Sequence, residues 1–396
     1  MASRYLRPSS LFSTAEDDRP ARGRVRVTTE GCLVADLELE ERSEGRPVQA
    51  GSLKPVIDII PAAAYENPTW KGMAYFLRDV AMYVAVVTAL ILFSNVFVVA
   101  GLEVVMALIT TALFVVGHDA AHGALFKSKR TNSIVGHLAM LPSMHVYEGW
   151  VLGHNRVHHP YTVRQGYDFV WHPYTVEDYQ AMGFVKRMRH RFEWSWFGAG
   201  AYYLREVWLN KMITGPFPAR WVKAINRDRA VVLGWAGAFA VGLALIAWAQ
   251  GDSLFGIAWM ITRVEILPFL AFCVMIGSVV HVHHVQPTIR WWKRAEWTKF
   301  RGQMEGTTVL RVPKGLDFFF HWIMVHTPHH VDLRIPMYNL PMAAKAIEEH
   351  FPDVVHDEKL RFRDFRSNTK VCKLYDFDSG TWLPYAAARR SKELTA

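Results

Sequence analysis

The sequence predicts an all-α integral membrane protein of about four transmembrane helices, with a cytoplasmic helical cap that holds a metal site. Three observations predict this class. Apolar residues, 51% of the 396, are gathered into long runs, and runs of about 20 residues cross ~30 Å of hydrocarbon. Groups of histidines at helical spacing follow these runs. Lysine and arginine are concentrated in the segments that would share one side of the membrane.

The N-terminal part of the chain is polar and charged, and we expect it to be a cytoplasmic extension. It lacks the apolar core of about 7 to 15 residues that a cleaved secretory signal needs. Alternation of apolar and polar residues at 24–27 and 33–39 predicts a small hairpin. We divide the chain into this extension at 1–55, a membrane domain at 56–345 and a cytoplasmic tail at 346–396.

Two apolar runs, at residues 75–97 and 104–117, predict the first two spans. The break between them, at 99–103, is long enough only for a tight reversal. The second run therefore returns to the side of the N-terminus and ends at His118 and His122. Residues 133–147 are apolar but interrupted by a proline and a histidine, so we expect an interfacial or re-entrant segment there.

Apolar runs at 230–249 and 254–280 predict the third and fourth spans, joined by a reversal at 250–253. Arg263 and Glu265 interrupt the fourth run. Because charges inside a membrane are costly, we expect this span to begin near Ile266, with both charges at the far interface. The basic run at 186–191 is interpreted as a helix face turned to solvent or to lipid headgroups.

Charge distribution predicts the orientation of the chain. The two reversals contain no lysine or arginine, whereas the other connecting segments are rich in them. The positive-inside rule and the even number of spans then place the histidines and both termini in the cytoplasm, in an inner or plasma membrane. The net charge of +9 suits nucleic acid, anionic lipid or an acidic protein, and the spans favour the latter two. Three cysteines cannot build a four-cysteine iron–sulfur site.

Histidines recur in three groups, which are His118 and His122; His154, His158 and His159; and His326, His329 and His330. At ~100° per residue, His330 lies about 40° from His326 and His329 about 60° the other way, so we expect this group to face one point. An isolated histidine pair is usually structural. The eight histidines of these groups exceed the four ligands that one zinc ion usually takes, which favours two metal ions. Imidazole ligands alone do not identify the metal.

At these residues the chain resembles the membrane fatty acid desaturases, in particular the omega-6 (delta-12) acyl-lipid desaturases of bacteria and plastids. The likeness runs from about Ile59 to about Leu340, and its most specific part is the third histidine group followed by residues 334–340. Residues 283–289 are similar to the segment in which this family supplies an additional histidine ligand, here His284. The middle group reads H-x-x-x-H-H, one residue longer than the commoner H-x-x-H-H.

The resemblance implies O2-dependent desaturation of a long-chain fatty acyl lipid, from monoene to diene, at a centre of two iron ions (Fe2+/Fe3+). Iron also suits the chemistry, because removing hydrogen from unactivated methylenes requires oxygen activated by a redox metal. The implied ligands are His118, His122, His154, His158, His159, His284, His326, His329 and His330. Metal-bound histidines usually donate their second N–H to an acceptor, and Asp119, Asp168 and Asp332 are candidates.

The expected partners are the acyl lipid, O2, membrane lipids and an external electron donor, and we expect no nucleic acid. The extension lacks the haem-binding pattern of a fused cytochrome b5 domain, so a separate protein must supply electrons. Family likeness implies a ferredoxin, with a cytochrome b5-type donor as the alternative. His281 and His283 lie near the site in sequence and are not assigned as ligands, and we interpret the remaining isolated histidines as structural. Pro328 predicts the start of a helix nearby.

Three alternative functions stay open at this point. The first is a di-iron hydroxylase or ketolase acting on a lipid or carotenoid, because residues 117–123 also resemble the first histidine group of carotenoid ketolases. Residues 334–340 argue against it. The second is a zinc-dependent membrane hydrolase, whose zinc ion would need only three protein ligands and would leave most of the histidines without a ligand role. The third is a membrane metal carrier, whose histidines would line the spans rather than follow them.

Overall fold

The computed structural model describes residues 51–394, with side chains described for residues 51–389. The predicted hairpin at 24–39 lies outside the described residues. Four helices are long and apolar enough to cross a membrane, as predicted, and we call them spans 1 to 4: Thr69–Leu92, Val96–His122, Ala219–Ala249 and Leu254–His284. Over the described residues the fold is mostly helical.

The reversal between spans 1 and 2 lies at residues 93–95, and the predicted break at 99–103 is wrong. Asn95 decides this position, because its side chain accepts hydrogen bonds from the backbone N–H groups of Phe97 and Val98 at 3.0 and 3.3 Å. Such a cap stabilises a helix start by about 1 kcal/mol. Gly101 costs a helix roughly as much, but it lies within a long apolar helix that tolerates it.

The helix of span 4 is continuous from Leu254, and the expectation that its membrane-crossing part begins near Ile266, with both charges at the far interface, stays a prediction. Arg263 and Glu265 lie in a π-helical turn, Thr262–Ile266, within the span, and both residues are buried. Arg263 donates from Nε to the carbonyl of Leu90 at 2.8 Å and from its terminal nitrogen to that of Ile91 at 3.3 Å. These carbonyls belong to the last turn of span 1, where no intrahelical donor remains. These hydrogen bonds to span 1 satisfy the guanidinium group and therefore allow Arg263 to occupy a buried position in the helix of span 4.

Short helices between spans 2 and 3 and after span 4 surround the histidines. Before span 1 lie helix Lys54–Ile57 and the 3-10 helix Ala62–Tyr65. Between spans 2 and 3 lie Lys129–Met140, Tyr147–Trp150, Val151–His158 (π), His159–Tyr161 (3-10), Val176–Ala181, Phe184–Glu193, Ala199–Tyr202 and Tyr203–Ile213 (π). After span 4 lie Arg301–Glu305 (π), Asp317–Phe320, His326–Val331, Met337–Asn339 (3-10), Leu340–His350, Phe362–Val371 and Tyr385–Leu394.

Two small sheets complete the part after span 4. Strand β1 (Thr308–Arg311) pairs in parallel with β2 (His356–Lys359), and Thr308 lies opposite His356. Strand β3 (Leu374–Asp376) pairs antiparallel with β4 (Thr381–Leu383). The pairing of β1 with β2 joins the C-terminal tail to the region that precedes the third histidine group. The predicted domain boundaries at 55 and 345 stay predictions.

Close backbone approaches hold the short helices against the spans. A Cβ on Gly277 of span 4 would collide with the carbonyl of Ala199, and one on Gly200 would collide with Val274. Helix Lys129–Met140, which overlaps the segment 133–147 predicted to be interfacial, approaches span 2 in the same way, because Met140 occupies the space beside Gly117. These contacts place the segment 199–213 beside span 4 and the segment 129–140 beside span 2.

Candidate metal centre

The nine histidines predicted as ligands lie together, and eight of them form two clusters. The ring nitrogens within each cluster lie within 4.8 Å of one another. Cluster A contains His118, His122, His154, His159 and His329, and cluster B contains His158, His284 and His330. His326 adjoins cluster B, since its Nε2 lies 3.1 Å from that of His330. Two clusters agree with the expectation of two metal sites.

Span 2 supplies His118 and His122 from its last turn, and their Nε2 atoms lie 3.3 Å apart. The spacing of four residues places the two rings on one face of the helix, in an edge-to-face contact. The helix ends at once, because Gly123 adopts a left-handed conformation with φ 74°, which costs glycine little. The ring pair is therefore presented at the end of an apolar span.

The longer middle histidine group is accommodated by the π-helix Val151–His158. In such a helix hydrogen bonds join residues five apart rather than four. The Nε2 of His154 lies 3.0 Å from that of His159, five residues on, and 2.8 Å from that of His118. His158 belongs to cluster B. The extra residue in the motif is therefore absorbed by local helix geometry, and all three histidines still reach the clusters.

The third histidine group lies on the short helix His326–Val331. Pro328 lies in its first turn, where the backbone N–H has no intrahelical acceptor, so the predicted helix start near this proline is confirmed. The three rings of this group converge, with centroids 4.6 to 5.7 Å apart, but the expectation that they face a single point is wrong. His329 belongs to cluster A and His330 to cluster B.

Hydrogen-bond acceptors hold the second ring nitrogen of several histidines. The Nδ1 of His158 lies 3.0 Å from Asp168, and that of His118 lies 3.3 Å from Asp119, so two predicted acceptors are in place. Asp332 was wrongly predicted: it binds Arg334 at 2.6 Å and accepts a hydrogen bond from the Tyr65 hydroxyl at 3.1 Å.

Sequence reasoning missed several acceptors, two of which come from one segment. The Gly306 carbonyl lies 2.9 Å from Nδ1 of His284, and the Gln303 amide oxygen lies 2.9 Å from Nδ1 of His330. Both residues lie in or just after the π-helix Arg301–Glu305. No motif in the sequence marks them, since a backbone carbonyl and a single glutamine carry no ligand pattern.

Burial lowers the pKa of several of these imidazoles. Desolvation, with repulsion from neighbouring imidazoles, lowers the pKa of His154, His159 and His329 well below its ordinary value. The same two causes lower the pKa of His326 and His330. A neutral imidazole offers a lone pair to a metal ion. Sites buried in this way therefore present nitrogen donors rather than cations at neutral pH.

The residues present fit metal ions. The Nε2 atoms of His118, His122 and His154 face one another at 2.8 to 3.3 Å in cluster A, and the Nε2 atom of His329 is buried without a hydrogen-bond partner. Leaving such an atom unsatisfied costs about 1 to 3 kcal/mol, and coordination by a metal ion would remove part of that cost. An all-imidazole donor set suits iron, copper, zinc and nickel.

Other histidines near the site have different surroundings. His283 stacks on His326 with ring centroids 3.9 Å apart, and His281 packs against Trp171 at 4.6 Å. A third group that could hold a metal ion, which sequence reasoning did not find, contains His137, Glu148 and Asp228. In that group the His137 ring lies 3.2 Å from Asp228, as expected of a structural pair.

A narrow cavity adjoins both clusters. Histidines of both clusters contribute to its lining, among them His118, His158 and His284. Most of its other walls are apolar and come from span 2, span 4 and the segments at 149–170 and 203–212, including Phe114, Trp150, Val207, Ile276 and Val279. The cavity therefore joins an apolar surface to the candidate metal ligands, an arrangement that suits a hydrocarbon chain.

Comparison with known proteins agrees with this arrangement. The family model described as Fatty acid desaturase matches residues 93–358. The chain is 27% identical to the sn-1 oleoyl-lipid 12-desaturase of Picosynechococcus sp., over 82% of this chain and 90% of the relative. It is 30% identical to the sn-1 oleoyl-lipid 12-desaturase of Anabaena variabilis, over 68% of this chain and 75% of the relative. It is 28% identical to the chloroplastic omega-6 fatty acid desaturase of Arabidopsis thaliana, over 84% of this chain and 71% of the relative.

Proposed function

The chain belongs to the fatty acid desaturase family and is an oxidoreductase, and on this premise we propose that it converts a monounsaturated acyl chain of a membrane lipid to a diene. The proposed reaction uses O2, two external electrons and two protons, and forms the omega-6 (delta-12) double bond. The observation that carries the proposal is the apolar cavity whose lining includes histidines of both clusters.

We propose His118, His122, His154, His158, His159, His284, His326, His329 and His330 as ligands of two iron ions. When bound, iron would supply the activation of O2 that side chains cannot supply. The protein's own contribution is to orient the rings. Asp168, Gln303 and the carbonyl of Gly306 accept from, or face, the ring nitrogens remote from the metal sites. Such contacts select one ring tautomer and one orientation.

The cavity positions the substrate. Its apolar walls favour burial of an acyl chain at roughly 0.8 kcal/mol per methylene, and they exclude water from the reacting carbons. Because a misplacement of ~1 Å is already costly to a rate, cavity shape is expected to select the carbon pair that lies beside the histidines. Trp150 and Phe114 are rigid parts of this wall, with ring centroids 4.9 Å apart.

The first prediction concerns the product. Cells that supply oleoyl lipids and express the chain should accumulate a diene, measured by gas chromatography and mass spectrometry of the fatty acids. His330→Ala should abolish the diene and lower the iron content of the purified protein, because His330 belongs to cluster B. The matched control is His350→Ala, which should leave both unchanged. His350 is exposed, and within the described part of the chain its ring bonds the Ala346 carbonyl of its own helix at 2.8 Å.

Two outcomes would contradict the proposal. Oxygenated chains or oxidised carotenoids without diene would indicate the hydroxylase or ketolase alternative. Zinc in place of iron, together with full activity of the His330→Ala variant, would exclude a di-iron centre.

A further inference from the structure

A strongly basic segment of the chain lies beside the histidine clusters. Residues 290–301 contain five basic side chains, Arg290, Lys293, Arg294, Lys299 and Arg301, and one acidic side chain, Glu296. The segment pairs with residues 161–167, because the N–H of Trp292 donates to the Val163 carbonyl and the N–H of Gln165 to the Trp292 carbonyl, both at 2.9 Å. This pairing adds Arg164. We call these six cations and the rings between them the basic aromatic surface.

Aromatic rings order the cations of this surface. The guanidinium groups of Arg290 and Arg301 lie 4.3 and 4.2 Å from the Trp292 ring. That of Arg164 lies 4.2 Å from the Tyr167 ring and 5.4 Å from the Trp297 ring. Cation–π contacts of this kind are worth about 0.5 to 2 kcal/mol. They hold several positive charges at defined positions instead of leaving them on mobile side chains.

Nearby carboxylates neutralise only part of this charge. Glu296 lies 3.6 Å from Arg290, and Asp378 pairs with Lys293. Asp376 near Lys293, and Glu305 near Arg290 and Arg301, add two more carboxylates. Among the described residues six cations therefore face four carboxylates, which leaves an excess of positive charge, and Arg294 and Lys299 are exposed. An ordered excess of one sign attracts a protein of the opposite sign and raises its association rate.

A short chain of hydrogen bonds joins this surface to cluster B. The indole N–H of Trp297 donates to the Thr162 carbonyl at 2.8 Å. The hydroxyl of Thr162 lies 3.2 Å from Nδ1 of His330. Trp297 is partly exposed, whereas Thr162 and His330 are buried. One tryptophan and one threonine therefore separate the protein surface from a proposed metal ligand.

We infer that the basic aromatic surface is the docking site of a small acidic one-electron carrier, and that Trp297 and Thr162 form the route by which its electrons reach cluster B. This inference rests on the proposed function, which requires an external donor. The overall change is –CH2–CH2– + O2 + 2 e⁻ + 2 H⁺ → –CH=CH– + 2 H2O. Each docking oxidises one carrier by one electron, so two dockings complete a turnover, and the protons come from solvent.

Carrier binding tests the docking site directly. The probe is a plant-type [2Fe–2S] ferredoxin, and its affinity for the detergent-solubilised full chain is measured by biolayer interferometry over a salt series. The double variant Arg294→Glu/Lys299→Glu should weaken binding at least about tenfold at low salt and flatten its salt dependence. The matched control is Lys186→Glu/Arg189→Glu, which makes the same charge change at exposed positions of helix Phe184–Glu193 and should change the affinity less than about twofold.

Equal weakening by both double variants would overturn the docking site, and weakening by the control alone would move it to helix Phe184–Glu193. Unchanged thermal melting and metal content must accompany a loss of affinity, so that misfolding is excluded. If wild-type protein forms diene with ferredoxin while the surface variant binds as tightly as wild type, this inference fails and the proposed function stands. If no donor supports diene formation, the proposed function fails.

The electron route has its own test. Trp297→Phe keeps an aromatic ring but removes the N–H that bonds Thr162. We expect a kcat several-fold lower at an unchanged KM and an unchanged Kd for ferredoxin, because docking is intact and only the coupling to cluster B is weaker. A kcat equal to that of wild type would exclude this route. A raised Kd with normal kcat would assign Trp297 to docking alone.

Discussion

At the scale of single residues, hydrogen bonding separates two aspartates that look alike in sequence. Asp168 is buried and, besides facing His158, accepts hydrogen bonds from the backbone N–H groups of Val163 and Val170, each at 3.0 Å. Its carboxylate is thereby held at one position against the imidazole. Asp332 lies two residues after His330 in the chain, yet its carboxylate turns toward Arg334 and Tyr65. Proximity in sequence is therefore a poor guide to the partner of a metal-binding histidine.

Replacing Asp168 tests this distinction. Asp168→Asn keeps the size of the side chain but removes the charge that orients His158, so iron affinity should fall roughly 10- to 100-fold. Iron content after dialysis against a graded series of chelator concentrations gives the measurement.

Asp332→Asn is the matched control for this change. It alters the same chemical group close to cluster B but leaves every contact of His158 in place, so it should retain iron like the wild type. Equal iron loss in both variants would mean that general destabilisation, and not the orientation of His158, explains the effect.

At the scale of elements, non-α turns decide where the ligands point. The π-helices Val151–His158 and Arg301–Glu305 carry, respectively, two histidines of the middle group and Gln303. A π-turn changes the direction of every side chain that follows it, which is why His159 meets His154 while His158 belongs to the other cluster. Such turns are frequent at functional sites. Helical periodicity at 100° per residue does not describe the directions of side chains in such turns.

Packing of the segment 199–213 on span 4 is the second feature at this scale. Gly277→Ala would drive a methyl group into the Ala199 carbonyl and the Tyr203 side chain. Overpacking of this kind costs about 1 to 3 kcal/mol, and it would move the cavity wall that Tyr203 and Ile276 share. We expect a lower thermal denaturation midpoint in detergent and a reduced yield of diene.

Gly237→Ala in span 3 is the matched control for this packing, because a Cβ there meets nothing within 4 Å. It should leave the midpoint unchanged or raise it slightly, since alanine is the better helix former. If Gly277→Ala melts like Gly237→Ala, the close approach between the segment 199–213 and span 4 is not required for stability.

At the scale of the whole molecule, the number of spans determines which segments can share one side of the membrane. With four spans, the region before Thr69 and the region after His284 lie on the same side. The histidine clusters require this arrangement as well, because they combine the ends of spans 2 and 4 with the connecting segment between spans 2 and 3. From the positive charge in those regions, the positive-inside rule predicts that this side is the cytoplasmic one.

Fusion of reporters tests the orientation. Green fluorescent protein fused after Ala396 should fluoresce, and alkaline phosphatase at the same position should be inactive, because we expect the C-terminus in the cytoplasm. Inserting the phosphatase at the reversal 250–253 provides the opposite control and should give an active enzyme. An active phosphatase after Ala396 would invert the predicted topology.

The sequence by itself determined which stretches could cross a membrane and which histidines gather at one place. Both depend on signals that are local in the chain: an apolar run of sufficient length and histidines spaced to share a helix face. Resemblance at residues 283–289 added His284, which no spacing rule distinguishes from its neighbours His281 and His283. These signals were enough for the class of protein and for the set of candidate ligands.

The tertiary structure alone decided how those ligands are divided and supported. Gln303 approaches the His159 carbonyl and His330 from 144 and 27 residues away in sequence, and Arg263 reaches Leu90 across 173 residues. Such partners are selected by the packing of whole helices, whose energetic preference is spread over many side chains and leaves no local pattern. For the same reason the division of the third histidine group between two clusters, and the surface that Arg164 shares with residues 290–301, became visible only in the folded chain.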